Sequence, residues 1–293
     1  MRRLIVNADD FGLTSGINQA VIALHRTGAL TSTTLMAAAP KFQEAVELAQ
    51  QYPTLGVGCH IVLVDGIPVS PPHTIPTLLD SDSRSPAFRS TLGRFARDLL
   101  LGRIDPQHVL LEATAQMQRL QTSGVVVTHL DTHKHTHMFP RVLEPALQAA
   151  RQCGIHKIRN PFEPGWSVHA TPQASATRRL EVHLLRALRA QFLAKTRAAA
   201  MTTTDGCLGI LATGTLDAAT LDAILKKMPE GRWEMVCHPA YLDAELRATR
   251  TRLLASREVE VGALLATLSR DAEGYADVQR IHYGDLHENL PEE

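Results

Sequence analysis

Short apolar segments alternate with stretches of helical periodicity along the chain, and this alternation restricts the fold more than any other feature. A continuous apolar strand is typical of a parallel sheet that helices cover on both faces. The apolar segments are 3–8, 30–38, 55–63, 125–133, 205–211 and 232–239, with "IHKIRNP" at 155–161 as a further member. The sequence therefore predicts an α/β fold with six or seven parallel strands in a closed or nearly closed (β/α) barrel, and a doubly wound open sheet is the alternative.

Helical periodicity fills most of the intervals between the apolar segments. It covers 15–28, 41–52, 91–102, 106–123, 140–153 and 175–199, while residues 65–90 are rich in Pro and Ser and predict an irregular insertion. A chain of 293 residues is long enough for one α/β barrel or for two average domains. We expect a single barrel domain over 1–293, with a variable helical segment at about 165–205.

Composition and charge exclude several classes of protein. Thirty basic residues balance thirty acidic ones, which argues against a nucleic-acid binder with a broad basic face. The four cysteines are widely spaced and form no CxxC pair, which favours buried thiols in a reducing compartment. The start "MRRLIVNADDFG" is not typical of a signal peptide, and no stretch approaches the ~20 apolar residues of a membrane span. We expect a soluble, cytoplasmic protein.

The stretch "THLDTHKHTHMFP" at 128–140 carries the densest polar pattern. A histidine or aspartate stands at every second position, namely at His129, Asp131, His133, His135 and His137. A strand directs alternate side chains to one side, so this spacing predicts that all five face the same way. We interpret the pattern as a metal or catalytic site, and an exposed polar strand is the alternative.

Polar residues also end the other predicted strands. They are Asp9 and Asp10 in "NADDFG", His60 in "GVGCHIVL", Arg159 in "KIRNP" and His238 in "MVCHPAY". In a parallel barrel the carboxyl ends of the strands meet at one rim, where active sites lie. Five strands therefore deliver polar groups to the same rim, which indicates a functional site more strongly than any single motif.

Asp10, His60 and His133 together offer one carboxylate and two imidazoles, a set suited to zinc or a similar divalent ion. Asp9, next to a ligand, could act as a base, and His238 could act as an acid. Each residue also has a structural alternative: Asp10 as a helix N-cap, although Thr14 and Ser15 are better placed, His60 as a core histidine, and His238 as a turn residue.

The motifs together resemble the YdjC-like carbohydrate deacetylases, which include the chitooligosaccharide deacetylases. The matching stretches are "LIVNADDFGL", "LTSTTLM", "GVGCHIVL", "THLDTHKHTHMFP" and "CHPAYLD", which occur in the family's order up to about residue 243. The resemblance implies a distorted (β/α) barrel that removes acetyl groups from N-acetylated sugars with the help of one divalent metal ion, Zn or Mg.

The resemblance also implies a role for each site residue. Asp10, His60 and His133 match the family's metal ligands, Asp9 matches the general base, and His238 matches the histidine proposed as general acid. Ligand imidazoles usually need hydrogen-bonding partners. The remaining residues become partners of the ligands or substrate contacts, with Arg159 orienting the base: His129, Asp131, His135, His137 and Arg159.

Three stretches are most similar to the hopanoid biosynthesis-associated members: "VLVDGIPVSPP", "THKHTH" and "RNPFEPGW". This implies an N-acetylglucosaminyl hopanoid as the substrate, with chitooligosaccharides as the alternative. Lys134 replaces a histidine that is common in the chitooligosaccharide type, which favours the hopanoid. We also expect peripheral contact with the inner membrane surface, no nucleic-acid partner and no transmembrane segment. A homodimer is compatible with these expectations.

The helical stretch 175–199 offers a separate indication. Leucines and a phenylalanine recur on one stripe, at Leu180, Leu184, Leu188 and Phe192, while six basic residues lie mostly elsewhere. A basic amphipathic helix can lie on an anionic membrane surface or cover a lipid-bearing substrate. The alternative, which we prefer at this point, is a barrel helix that packs its stripe on the sheet.

Two other functions compete with a deacetylase. A metal-dependent phosphoesterase also uses Asp and His at a barrel rim, but phosphate usually calls for several cationic groups, and only Arg159 stands near the motifs. A metal-binding or carrier protein would use the histidines without catalysis. The positions of Asp9 and His238 on separate strands argue against it, because a carrier needs neither a base nor an acid.

Overall fold

A seven-stranded sheet, parallel at every pairing, lies at the centre of the computed structural model, which describes residues 1–171, 174–272 and 274–286. The strands are β1 (Arg2–Phe11), β2 (Ser32–Leu35), β3 (Gly56–Ile61), β4 (Val127–Thr132), β5 (Gly206–Leu208), β6 (Gly231–Cys237) and β7 (Val278–Arg280). Their order is β4-β3-β2-β1-β6-β5, and β7 pairs with the start of β1, at Arg2–Leu4, whereas β2 pairs with its end.

Isolated bridges connect the two ends of this sheet. Leu130 in β4 bridges to Ile158, and Lys157 bridges to Thr202, just before β5. The amide of Cys207 also donates a 3.2 Å hydrogen bond to the carbonyl of Phe162. The apolar segment at 155–161 therefore closes the sheet through single bridges instead of a regular strand. The predicted barrel is confirmed, and this seam is where it is distorted.

Eleven α-helices surround the sheet in the described residues. They are α1 (Ser15–Arg26), α2 (Phe42–Gln51), α3 (Leu92–Leu100), α4 (Pro106–Thr122), α5 (Pro140–Gln152), α6 (Gly165–Ala170), α7 (Ala176–Leu185), α8 (Arg189–Ala198), α9 (Ala218–Lys227), α10 (Ala244–Ala248) and α11 (Ala255–Leu268). Among the described residues, none of these helices is long and apolar enough to cross a bilayer.

Helix α1 shows how the sequence ends a strand and begins a helix beside the site. Oγ1 of Thr14 accepts a 3.2 Å hydrogen bond from the amide of Ile17, which satisfies one of the free donors of the first turn. Its apolar face, with Ile17, Val21 and Leu24, is buried in the core. Thr14 therefore caps this helix, as expected, and the carboxylate of Asp10 is available for another task.

The predicted register of the histidine run is wrong beyond Thr132. Strand β4 ends there, and residues His133–Met138 form 3₁₀ turns interrupted by Lys134 and His135, whose φ angles are 56° and 53°. Left-handed backbone at two consecutive residues turns the chain, so the alternation of a strand cannot continue. The five residues from His129 to His137 therefore do not share one face.

The predicted helix 175–199 is interrupted as well. A 3₁₀ turn at Arg186–Leu188 separates α7 from α8. Phe192 in α8 is buried, but Leu180 and Leu184 in α7 are 57% and 63% exposed, so the stripe packs on the core only in part. Packing of the whole stripe on the sheet is therefore excluded.

The insertion at 65–90 is irregular, as predicted, and contains two short 3₁₀ turns, Pro72–Thr74 and Pro76–Leu78. The single domain over 1–293 remains an expectation. Residues 287–293 of that range lie outside the described residues.

Candidate active site

Asp10, His60 and His133 meet at the carboxyl ends of β1, β3 and β4. Oδ1 of Asp10 lies 3.8 Å from Nε2 of His60 and 3.5 Å from Nδ1 of His133, and the two imidazole nitrogens are 3.3 Å apart. The backbone of Asp10 has a φ of 68°, a strained conformation for a residue with a Cβ. Three strand ends thus place one carboxylate oxygen and two ring nitrogens in a small triangle.

The triangle fits a divalent metal ion. Tetrahedral coordination with bonds of about 2.1 Å places ligand atoms about 3.4 Å apart, close to the three distances between these atoms. Oδ1 of Asp10 is buried and has no hydrogen-bonding partner, which is costly for a carboxylate unless a cation satisfies it. Carboxylate and imidazole donors suit zinc and related divalent ions. The three residues expected to bind a metal therefore form a cluster of the right size and chemistry.

Two neighbouring polar side chains hold the ring of His60. Its Nδ1 lies 2.7 Å from Oδ1 of Asp131 and 3.2 Å from Oγ1 of Thr34, which leaves Nε2 directed at Asp10 and His133. Burial alone would lower the pKa of His60, but the carboxylate of Asp131 outweighs it and raises that pKa to about 9. The carboxylate–imidazole pair fixes the ring and increases its basicity, as carboxylate partners of metal-bound histidines do.

Asp9 is bound by a buried arginine from the seam of the barrel. Nη1 and Nη2 of Arg159 donate hydrogen bonds of 2.9 Å and 2.7 Å to Oδ2 and Oδ1 of Asp9. Asn7 donates a further bond to Oδ1 at 3.1 Å. Burial would raise the pKa of Asp9, but the guanidinium of Arg159 holds it well below its usual range. Arg159 thus fixes the orientation of this carboxylate and keeps it ionised.

His238 follows β6 and faces Asp9 across the site. Its Nε2 lies 3.9 Å from Oδ2 of Asp9, and its backbone amide donates a 2.5 Å hydrogen bond to Oε2 of Glu260. Burial lowers the pKa of His238 to about 4, so the ring is neutral near pH 7. The ring therefore carries no proton on one of its nitrogens before the reaction, and a proton that it gained in this site would be released readily.

The other three histidines of the 128–140 stretch, His129, His135 and His137, do not belong to the metal cluster. His129 stacks on Tyr283 with ring centroids 3.7 Å apart, away from the metal cluster. Nδ1 of His137 lies 2.7 Å from Oγ1 of Thr132, and its Nε2 lies 3.2 Å from the carbonyl of Arg159, so it supports the loop that carries Arg159. His135 keeps a buried, unpartnered Nδ1.

Sequence reasoning missed Arg257, Glu234 and Glu260. Arg257 in α11 binds Asp10. Neither Asp9 nor Asp10 has an evident cationic neighbour in the sequence, so the sequence does not indicate this contact. Glu234, which lies in β6, accepts a 2.9 Å hydrogen bond from Nε of Arg159. A charged residue inside the apolar segment "RWEMVC" is a signal that could have identified Glu234, because a buried carboxylate needs a partner. For Arg257 and Glu260, on a helix late in the chain, the sequence carries no comparable signal.

Comparison with known proteins agrees with this architecture. Residues 3–272 match the family model described as "YdjC-like protein". A carbohydrate deacetylase of Thermoanaerobacter pseudethanolicus is 31% identical over 89% of this chain and 89% of its own length. A carbohydrate deacetylase of Brevibacillus brevis is 40% identical over 55% of this chain, and the match spans only 60% of that relative.

A solved structure resembles the whole fold. The crystal structure of an Enterococcus faecalis V583 protein, named for cellobiose-phosphate cleavage, has a TM-score of 0.73 and 26% identity, and the match covers 96% of this chain and 97% of that one. The motifs identified in the sequence, the barrel and these comparisons agree. The chain belongs to the YdjC-like family.

Proposed function

We propose that this protein hydrolyses the acetamido bond of an N-acetylated amino sugar, with a divalent metal ion at Asp10, His60 and His133. The single observation that carries the proposal is the position of the Asp9–His238 pair beside that cluster: Asp9 adjoins Asp10 in the chain, and its Oδ2 lies 3.9 Å from Nε2 of His238. The names of the two related deacetylases support the same activity.

A metal ion at the cluster would supply Lewis-acid chemistry, which lowers the pKa of water and polarises a carbonyl oxygen. The chain's own residues do the remaining work. Asp131 orients His60, and Arg257 binds the second oxygen of Asp10, so that both ligands are held before substrate arrives. Ligands fixed in this way need little reorganisation during the reaction.

Asp9 takes the proton of the attacking water in this mechanism. Arg159 lowers the pKa of Asp9, so the carboxylate is ionised at neutral pH and gives up a gained proton easily. His238 is the nearby acceptor, and the pKa of its ring, at about 4, lies above that of Asp9. The proton passes to His238, which donates it to the departing amine of the sugar. The acid therefore gains its proton during the reaction.

The electrostatics favour a neutral acetamido group over a phosphate ester. Arg159 is buried against the carboxylates of Asp9, Asp131 and Glu234, and Arg257 is buried against Asp10. Their charges are therefore compensated, and binding a phosphate dianion would require breaking these pairs. A phosphoesterase is the weaker proposal for this reason, and a metal carrier would need neither Asp9 nor His238.

We further propose that the sugar is lipid-linked, as in an N-acetylglucosaminyl hopanoid. Leu180 and Leu184 are exposed on α7, next to arginines in the same helix. Nη2 of Arg178 donates a 2.8 Å hydrogen bond to the carbonyl of Ile210, which ties α7 to the loop after β5, at the same end of the barrel as the active site. An exposed apolar pair with basic neighbours suits an acyl or polycyclic chain emerging from an anionic membrane.

Release of acetate tests the chemistry. N-acetylglucosaminyl hopanoid and N,N′-diacetylchitobiose are each incubated with wild type and Asp9→Asn, after chelation and after addition of zinc or magnesium. Asp277→Asn, an exposed aspartate, is the control. We expect metal-dependent release that Asp9→Asn abolishes and the control retains. Release that survives chelation or Asp9→Asn would contradict the mechanism, and release from chitobiose alone would exclude the hopanoid.

The lipid contact has its own test. Leu180→Ser with Leu184→Ser should reduce activity on the hopanoid in anionic liposomes and leave chitobiose hydrolysis unchanged. Leu100→Ser with Leu101→Ser is a matched control, because those leucines are also exposed, at the end of α3. Equal hopanoid activity of both double variants would refute the role of α7.

A further inference from the structure

The segment 281–286, which we call the C-terminal plug, crosses the amino-terminal mouth of the barrel. The amide of Ile281 donates a 3.0 Å hydrogen bond to the carbonyl of Leu4, and the carbonyl of Ile281 accepts a 2.6 Å bond from Oγ1 of Thr31. Nζ of Lys157 donates a 2.7 Å bond to the carbonyl of Gly284. Residues before β2, in β1 and at the seam thus bind one short segment, on the opposite side of the barrel from the rim.

The plug inserts one side chain, Tyr283, into the barrel. Tyr283 is fully buried, and its ring stacks on that of His129 at an interplanar angle of 11°. A Cβ on Gly58 would lie 2.4 Å from the His129 ring, and one on Gly56 would lie 2.8 Å from Cβ of His282. Two glycines of β3 therefore make room for the histidine partner of Tyr283 and for the plug itself.

The hydroxyl of Tyr283 begins a chain of hydrogen bonds that ends at Asp9. It donates to Oε2 of Glu234, whose Oε1 accepts a 2.9 Å bond from Nε of Arg159. The two Nη atoms of Arg159 then bind both oxygens of Asp9. All four residues are buried, with at most 3% of their surface exposed. Water therefore cannot readily replace any link of this chain.

We propose that Tyr283 is a positioning residue, which fixes Glu234 and through it the plane of the Arg159 guanidinium that orients Asp9. This inference rests on the proposed function, in which Asp9 is the base. Without the hydroxyl, Oε2 of Glu234 is buried without that donor, and the carboxylate turns or takes up a proton. Arg159 then loses the partner on its Nε and with it one of the contacts that fix its plane. The plug at one end of the barrel thus sets the geometry of the reaction at the other.

Tyr283→Phe tests the proposal, because it keeps the stacked ring and removes only the hydroxyl. We expect kcat to fall by about 10–100-fold, since a small misplacement of a catalytic group has effects of this size. KM and zinc affinity should stay at wild-type values. The matched control is Tyr275→Phe, which removes a 2.6 Å hydrogen bond to Oδ1 of Asp222 outside the barrel. This control should leave kcat unchanged.

A double-mutant cycle separates positioning from loss of stability. Glu234→Gln alone should also lower kcat, and combining it with Tyr283→Phe should lower kcat no further, because both changes break the same chain. Additive losses, or equal kcat values for Tyr283→Phe and wild type, would overturn the proposal. Raised KM in place of lowered kcat would overturn it too.

A spectroscopic measurement makes the test independent of turnover. The Nε–Hε resonance of Arg159, assigned with Arg159→Lys, should exchange with solvent faster in Tyr283→Phe and at the wild-type rate in Tyr275→Phe. If wild type releases no acetate from either sugar, the proposed function fails, and this exchange rate alone decides whether Tyr283 positions Arg159. Unchanged exchange in Tyr283→Phe would refute that role.

Discussion

Nη2 of Arg257 donates a 2.6 Å hydrogen bond to Oδ2 of Asp10, while Oδ1 of the same carboxylate faces His60 and His133. One oxygen is thus held by a helix far along the chain, and the other is directed at two imidazoles. Burial would raise the pKa of Asp10, but the guanidinium of Arg257 holds it well below the usual range. Asp10 therefore keeps the charge that a metal ligand needs.

We expect Arg257→Gln to weaken zinc binding by about 10-fold or more, because removing the partner of a metal ligand typically has effects of this size. Titration calorimetry with metal-free protein measures the change in Kd. Arg247→Gln, at an exposed position on α10, serves as the control and should bind zinc like wild type. Equal Kd values for the two variants would show that Arg257 does not orient Asp10.

Lys134 provides a test of backbone strain beside the site. Its φ of 56° is unfavourable for a residue with a Cβ, and Nζ forms a 2.7 Å ion pair with Asp65. Lys134→Gly and Lys134→Ala both lose the ion pair, so their difference reports the backbone alone. We expect the glycine variant to have the larger free energy of unfolding, by about 1 kcal/mol. Urea unfolding of both variants measures this, and equal values would mean that the turn at Lys134 is unstrained.

The strands and the rim were predictable from the sequence for a physical reason. Strands buried on both faces need continuous apolar segments, and parallel strands bring their carboxyl ends together. Asp9, Asp10, His60, Arg159 and His238 could therefore be assigned to one rim before any contact was known. Their identification needed only the positions of polar residues at strand ends.

The features that were missed depend on distant or local backbone geometry. The contact of Arg257 with Asp10 joins residues 247 positions apart, and nothing in the pattern of α11 indicates it. The turn at Lys134 and His135 depends on left-handed φ angles that the alternating histidines conceal. Strand β7 has three residues, too few for a periodic pattern to be recognised.

Glu112 anchors the loop that follows β3. Its carboxylate is fully buried in α4 and accepts hydrogen bonds of 2.8 Å and 2.9 Å from the amides of Val69 and Ser70. Glu112→Ala leaves these amides without their acceptor, so we expect a loss of about 2–3 kcal/mol in the free energy of unfolding. Urea unfolding measures it, with Glu144→Ala, exposed on α5, as the control. A loss below 1 kcal/mol would show that the loop is held by other contacts.

Glu260 makes stability depend on pH. Burial raises its pKa from 4.5 to about 7, and its Oε2 accepts the amide of His238. Because the folded protein holds this proton more tightly than the unfolded chain, the contribution of Glu260 to stability is full below pH 4.5. It falls as pH rises through 7, by about 3 kcal/mol at most.

Glu260→Gln removes that titration and keeps an oxygen for the amide of His238. We therefore expect the free energy of unfolding of the variant, relative to wild type, to increase between pH 5 and pH 8, as measured by urea unfolding of metal-free protein at each pH. Glu258→Gln, exposed on the same helix, should show no such trend. A difference between Glu260→Gln and wild type that does not change with pH would mean that Glu260 is ionised throughout this range, so that the buried carboxylate binds His238 as an anion.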